Sequence, residues 1–136
     1  MSKAHQLGEL QLAIMRILWK EGEATVATVH RLLRPERELA HTTVATMLSK
    51  MEKKGVVAHR SEGRLYVYRS TVTEAEVHRS MVSELTERLF DGSSAALVSH
   101  LLGREDIAPG ELRRIREMID GSDESGDQPG NAGRRP

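Results

Sequence analysis

Near residue 55 the spacing of apolar residues changes from about 3.6 to about 2, and this change constrains the fold more than any other feature of the sequence. Before Gly55, apolar residues recur every three or four positions, as in amphipathic helices. After it, Val56–Arg60 and Leu65–Arg69 alternate as short strands do, and Ser61-Glu62-Gly63-Arg64 between them favours a tight turn. The sequence therefore predicts helices followed by a β-hairpin.

Three short helices precede this hairpin. They are predicted at residues 7–20 before Gly22, from Ala24-Thr25 to Pro35, and at Thr42–Lys54 before Gly55. The residues expected to face the core are Leu7, Leu10, Ile14, Ile17 and Leu18 in the first helix, Val26, Val29, Leu32 and Leu33 in the second, and Val44, Met47, Leu48 and Met51 in the third. The predicted fold class is mainly α with a small β-hairpin, a winged helix-turn-helix whose hairpin is the wing.

Three further helices are predicted after the hairpin. Thr73-Glu74-Ala75-Glu76 is a capping box at the start of a helix that extends to about Phe90, a short helix runs from Ser93 or Ser94 to Leu102, and Pro109 opens the last one. Their apolar stripes exceed what short helices can bury alone, which predicts a homodimer. The residues expected at its interface are Val77, Met81, Leu85, Leu89, Leu97, Leu101, Leu112 and Ile115.

These patterns divide the chain into three parts. We expect a winged-helix domain at residues 1–72 and a helical dimerisation domain at residues 73–120. Residues 121–136 show no apolar periodicity, so they are expected to form a disordered tail.

The charges are unevenly distributed, although the net charge is zero. Residues 1–72 carry 12 basic and 7 acidic side chains, whereas residues 73–136 carry 8 and 13. The first part could therefore face phosphate groups. Aromatic residues make up only 3% of the chain, too few for the stacking platforms that bind single strands. Duplex DNA therefore remains a candidate partner.

The outer face of the third helix carries short hydroxyl and lysine side chains. They are Thr42, Thr43, Thr46, Ser49, Lys50 and Lys53, with His41 at the entry and Lys54 at the end. Short hydroxyls can reach base edges in a major groove, and Lys can reach phosphate or guanine. Such a face also occurs on helices that are merely solvated, but its place as the third helix of a winged fold favours contact with double-stranded DNA.

The predicted wing adds further candidate contacts. Arg60 and Arg64 lie around its turn and could meet phosphates or enter a minor groove, and Tyr66 could add a phosphate hydrogen bond. Tyr68 is expected to pack on the core, because alternate strand residues face inward. Trp19, at the end of the first helix, is also expected to pack on the core.

Other classes of function lack the residues they need. The chain has no cysteine, and its six histidines form neither an HxxxH nor an HExxH pair, so no metal or other cofactor is expected. Without a G-x-S-x-G elbow or a glycine-rich phosphate loop, no enzyme is expected. The N-terminus resembles no signal peptide and no apolar run is long enough to span a membrane, so we expect a cytoplasmic protein that does not insert into membranes.

Taken together, the motifs from about Leu7 to Ile119 resemble those of the penicillinase and methicillin-resistance repressor family of bacterial winged-helix regulators. The motifs are Glu9-Leu10-Gln11, Ile14-Met15 and Leu18-Trp19 in the first helix, Thr42-Thr43-Val44-Ala45-Thr46-Met47-Leu48 and Lys53-Lys54-Gly55-Val56 around the third, Gly63-Arg64 with Tyr66-Val67-Tyr68 in the wing, and Phe90-Asp91-Gly92-Ser93 with Leu97-Val98 further on.

The resemblance implies a homodimeric repressor that holds a palindromic operator upstream of resistance or envelope-stress genes. It also implies release when a membrane sensor metalloprotease system causes cleavage of the repressor. In the family's well-known members the cut follows a Leu-Val pair and lies between Asn and Phe. The matching positions here are His100 and Leu101.

Two other functions remain open from the sequence. A winged-helix regulator could change its DNA affinity with a small ligand held between the wing domain and the dimer helices, although no ring of polar residues marks such a pocket. A winged fold can also be a protein-interaction module, which would show no steeply salt-dependent binding to duplex DNA.

Overall fold

The computed structural model describes residues 6–126, which contain six helices and three strands. In chain order they are α1 (Glu9–Glu21), β1 (Glu23–Thr25), α2 (Val26–Leu33), α3 (His41–Lys54), β2 (Val57–Glu62), β3 (Leu65–Ser70), α4 (Glu74–Phe90), α5 (Ser94–Leu102) and α6 (Pro109–Gly126). The chain divides into two compact units between Gly92 and Ser93. The predicted class, mainly α with a winged helix-turn-helix, is confirmed.

The first helix anchors the core of the first unit. Ile14, Met15 and Leu18 of α1 are at most 1% exposed. The indole N–H of Trp19 points to the end of β3, with Ser70 Oγ at 3.1 Å and the Val72 carbonyl at 3.0 Å. Trp19 also packs against the core, as predicted.

The helix-turn-helix consists of α2 and α3. Thr25 caps α2 by accepting a hydrogen bond from the Thr28 amide at 3.2 Å, and Gly55 ends α3 at a φ of 91°, where a side chain would be strained. Five residues of the two helices are buried: Val29, Leu33, Val44, Leu48 and Met51. Their burial sets the opposite face of α3 toward solvent.

The prediction that Leu32 faces the core is wrong, because its side chain is 36% exposed. Side chains on a helix turn by about 100° per residue, so Leu32 lies about 60° from Val29 and about 100° from Leu33. With those two in the core, Leu32 falls at the rim of the buried face.

The sheet has one strand more than the predicted hairpin. β3 lies in the centre, paired antiparallel with β2 on one side and with β1 on the other. Residues 24 and 25 were expected to start the second helix, but Ala24 pairs with Tyr68 and is 5% exposed. The three residues of β1 thereby pair with the edge of β3 that a hairpin would leave open.

α4 starts inside the first unit. The capping box is confirmed: Thr73 Oγ1 accepts from the Glu76 amide at 3.0 Å, and the Thr73 amide donates to Glu76 Oε1 at 2.8 Å. Val77 is fully buried in the core cluster. The compact unit therefore extends to Gly92, and the division at residue 72 stays a prediction.

The second unit contains α5 and α6. No residue of α5 is buried. α6 continues to Gly126, so the predicted tail starts within a helix, because extending a formed helix needs no new nucleation. The rest of the predicted tail, residues 127–136, lies outside the described residues.

Candidate nucleic-acid interface

The outer face of α3 is exposed as predicted from the sequence. Thr42, Thr43, Thr46, Ser49, Lys50 and Lys53 are all exposed, while Val44, Leu48 and Met51 on the inner face are completely buried. A depression of about 250 Å³ on the outer face is lined by Thr42, Thr43, Thr46, Met47 and Lys50. The face thus presents short hydroxyls at its centre and ammonium groups toward its C-terminal end.

The start of α3 is positioned by His30, a residue that the sequence analysis did not single out. His30 of α2 donates from Nε2 to the Leu39 carbonyl at 2.6 Å, and its ring meets that of His41 edge to face at 5.7 Å. His41, the first residue of α3, is therefore positioned by α2 as well as by its own helix. His30 and Leu39 are nine positions apart and the irregular segment after α2 lies between them, so no periodic pattern reveals the contact.

A cleft joins the wing to the starts of α2 and α3. Its volume is about 390 Å³, and its lining consists of Thr25, Val26, Ala27, His41, Arg64, Leu65 and Tyr66. Three predicted contacts, His41, Arg64 and Tyr66, are thereby brought to one place. Tyr66 is 50% exposed, whereas Tyr68 is buried as predicted.

Lys54 and Arg60 are two predicted contacts whose charged groups are hydrogen-bonded within the chain. Lys54 Nζ donates to the Gln6 carbonyl at 2.6 Å and to Gln11 Oε1 at 2.9 Å, which connects the end of α3 to the start of α1. Arg60 Nε donates to Glu23 Oε1 of β1 at 3.1 Å, and Glu62 lies 3.6 Å away. The hydrogen bond and charge of Glu23 raise the pKa of the Arg60 guanidinium.

The predicted dimer residues of α4 lie in two environments. Val77 is buried in the core of its own chain, and Met81 packs against that core. Leu85 and Leu89 are 42% and 69% exposed, and Val82 beside them is 51% exposed. The apolar surface that α4 offers to another molecule is therefore the exposed stripe of Val82, Leu85 and Leu89.

The remaining predicted positions lie in the second unit. Leu97, Leu112 and Ile115 are half-buried, and Leu101 is 41% exposed. His100 and Leu101, the pair at the predicted cleavage joint, lie in the last turn of α5.

The described residues contain no group of three or more His, Cys, Asp or Glu side chains that could hold a metal ion. Among the same residues, no helix is both long and apolar enough to cross a membrane.

The fold and the exposed face of α3 are those of a winged helix-turn-helix protein. The model of the penicillinase repressor family matches residues 7–121. The chain belongs to the penicillinase repressor family. Because the relatives in this family are transcriptional regulators and repressors, the prediction that the chain is not an enzyme is confirmed.

Two curated relatives cover most of the chain. The transcriptional regulator BlaI of Mycobacterium tuberculosis (strain CDC 1551 / Oshkosh) is 36% identical over 87% of this chain and 88% of its own length. The penicillinase repressor of Bacillus licheniformis is 23% identical over 88% of this chain and 94% of its own length.

Two solved structures share the fold. The DNA-binding domain of the repressor BlaI is 30% identical, with a TM-score of 0.50, and covers 56% of this chain and 93% of that domain. A complex of the protein RosR is 20% identical, with a TM-score of 0.51, and covers 92% of this chain and 98% of that one. The likeness to RosR concerns the fold alone.

Proposed function

We propose that this chain is a homodimeric transcriptional repressor that binds a palindromic operator in duplex DNA through α3 and the wing. The observation that carries the proposal is the division of α3 into a fully buried face and a face of exposed hydroxyls and lysines. A helix that enters a major groove needs this division, because one side holds it on the domain while the other meets base edges.

The exposed groups suggest two classes of contact. Thr46 lies near the centre of the outer face, within the depression of α3, where a short side chain can approach a base. Lys53 is exposed in the last turn and has the reach to meet a phosphate. Arg64 and Tyr66 in the cleft would meet the flanking backbone while α3 occupies the groove.

Substitutions at Thr46 and Lys53 should separate these two classes. Thr46→Ala should cost about 1–3 kcal/mol on the best site and relax the preference at one base position. Lys53→Ala should weaken all duplexes alike and lower the salt slope by roughly one unit. The upstream duplex that the purified wild-type protein protects is first mapped. The affinity of the full chain for this duplex and for a scrambled duplex is then measured at several salt concentrations.

Lys20→Ala is a suitable control, since Lys20 is exposed at the end of α1 and does not belong to the proposed contact set. Wild-type protein without salt-dependent duplex binding would contradict the proposal and favour a protein-interaction module. Identical effects of the Thr46 and Lys53 changes on every sequence would contradict the placement of α3 in the groove.

The engagement of Arg60 leads to a separate prediction. Glu23 is hydrogen-bonded to the Arg60 guanidinium, and Glu23→Gln removes its charge but keeps an oxygen that can accept. The variant should therefore loosen Arg60, strengthen binding to any duplex and steepen the salt slope by less than about one unit. Glu21→Gln removes the same charge two residues earlier and serves as the control. If both variants change the slope equally, Arg60 is not held back by Glu23.

The dimer is supported by the exposed stripe of α4 and by α5, none of whose residues is buried. Stable interfaces bury on the order of 1,600 Å² in total, and apolar helical faces are the usual source of such area. A two-fold dimer would present two copies of α3 to two half-sites of a palindrome.

The proposed targets are genes of β-lactam resistance or envelope stress, and the proposed signal is cleavage at His100–Leu101 by a sensor metalloprotease system. The support is the family to which the chain belongs. His100 and Leu101 stand where the family's well-known members have Asn and Phe, so the two residues themselves differ from the family's joint. Both residues are helical, so the last turn of α5 would have to unwind before a protease could bind them in extended form.

A further inference from the structure

A side-chain contact connects α3 to the wing. Glu52, in the last turn of α3, lies 2.7 Å from Nδ1 of His59 on β2. A carboxylate only accepts hydrogen bonds, so Nδ1 carries the proton and donates it. The two side chains are 35% and 27% exposed, so the pair is partly shielded from solvent.

The His59 ring continues the connection to β3. It stacks on Tyr66 with a centroid distance of 4.0 Å and an interplanar angle of 18°, and it lies 5.5 Å from the ring of Tyr68. His59 is paired with Tyr68 across the ladder, so Tyr66 is its diagonal neighbour on the same face of the sheet. The stack therefore extends from a buried tyrosine to one that is half exposed in the cleft.

The charge of Glu52 also reaches the buried end of this cluster. Burial first, and then the charge of Glu52, raise the pKa of the Tyr68 phenol. The phenol therefore stays neutral at ordinary pH, and the cluster contains one carboxylate and one imidazole between uncharged rings.

Besides its own ladder, the pairing of β3 with β1 and the Arg60–Glu23 hydrogen bond, the contact between Glu52 and His59 supports the wing. Residues 61–66 are all exposed, whereas Val56 and Val57 at the base are buried. Backbone pairing sets the register of β2 against β3, but it does not set the angle of the hairpin to α3. Glu52 and His59 join α3 to the hairpin outside the backbone ladder.

We propose that Glu52 and His59 are positioning residues that hold Tyr66 and the wing at the angle at which Arg64 and α3 can contact DNA together. This inference rests on the proposed function. Neither residue has to touch DNA; they act through Tyr66 and through the wing tip that it supports.

The first measurement needs no DNA. In the full chain, His59→Ala should speed amide exchange at residues 61–66 and leave exchange in the core of α1 and α3 unchanged, which also shows that the domain is folded. His59→Phe keeps an aromatic ring on Tyr66 and should restore part of the protection. Unchanged exchange at residues 61–66 in His59→Ala would overturn the inference.

The second measurement uses the duplex that the wild-type protein protects. His59→Ala should weaken binding about tenfold, because an aromatic stack and a charged hydrogen bond are lost. Positioning also predicts coupling: Arg64→Ala should lower affinity clearly in the wild-type background and little in His59→Ala.

His78→Ala is the matched control. His78 also has a glutamate partner, Glu74 at 3.6 Å, and an aromatic neighbour, Trp19 at 6.4 Å, but it lies on α4. Equal affinities of the His59 and His78 variants, or a full Arg64 effect in both backgrounds, would overturn the inference. Failure of the wild-type chain to bind any duplex would instead contradict the proposed function, and amide exchange would still decide whether His59 holds the wing.

Discussion

Replacing Leu89 by aspartate is expected to convert the proposed dimer into a monomer and to abolish tight operator binding. Leu89 is 69% exposed on α4, in one stripe with Leu85 and Val82. A carboxylate placed in an apolar interface loses its hydration without gaining a partner. A loss of about 3 kcal/mol of dimer stability corresponds to roughly a hundredfold in the dissociation constant.

Sedimentation at micromolar concentration should give about twice the chain mass for the wild type and the chain mass for Leu89→Asp. Ser83→Asp is the control, since Ser83 is exposed on the same helix about 120° around its axis from Leu89. A strictly monomeric wild type that still binds a palindrome tightly would contradict the proposed dimer.

A chain that ends at His100 is expected to keep its folded winged domain and to bind the operator about a hundredfold more weakly than the full chain. The deletion removes Leu101 and all of α6, including Leu112 and Ile115, which are half-buried in the second unit. The core of the first unit lies between Leu7 and Val77 and is untouched. Each half-site alone offers few base contacts, so weaker dimerisation lowers affinity.

Circular dichroism and operator affinity should be measured beside a chain that ends at Gly126, which keeps α6 and removes only the residues after it. Equal affinity of the chain ending at His100 and the full chain would exclude inactivation by cleavage at this joint. The regulator would then be one that responds to a ligand or one that is not regulated at this step.

Much of the fold could be predicted because local chemistry marks it. The capping box at Thr73 and the left-handed Gly55 each satisfy backbone groups within a few residues, so their sequence signals are complete. β1 could not be predicted in this way. Its three residues become a strand only because β3, more than forty residues later, supplies the hydrogen-bond partners.

The same distinction applies to the candidate site. Periodicity alone placed the hydroxyls and lysines of α3 on the outside, because Val44, Leu48 and Met51 define the inner face. The partners of Arg60 and Lys54 were not predictable, since Glu23 and Gln11 are 37 and 43 residues away. Side chains that meet through the tertiary fold leave no spacing pattern in the sequence.

α4 is anchored in the core by Val77 and carries its most exposed leucine, Leu89, twelve residues later, about 18 Å along the helix axis. Inserting one residue between Val77 and Leu89 would turn the exposed stripe by about 100° relative to α3, whereas an insertion of seven residues would turn it by only about 20°. The number of residues between Val77 and Leu89 therefore sets both the distance and the direction of the exposed stripe. Among related chains, length changes in this segment should accumulate far more slowly than substitutions, and those that persist should have lengths that nearly preserve the direction of the stripe, such as about seven or about eleven residues.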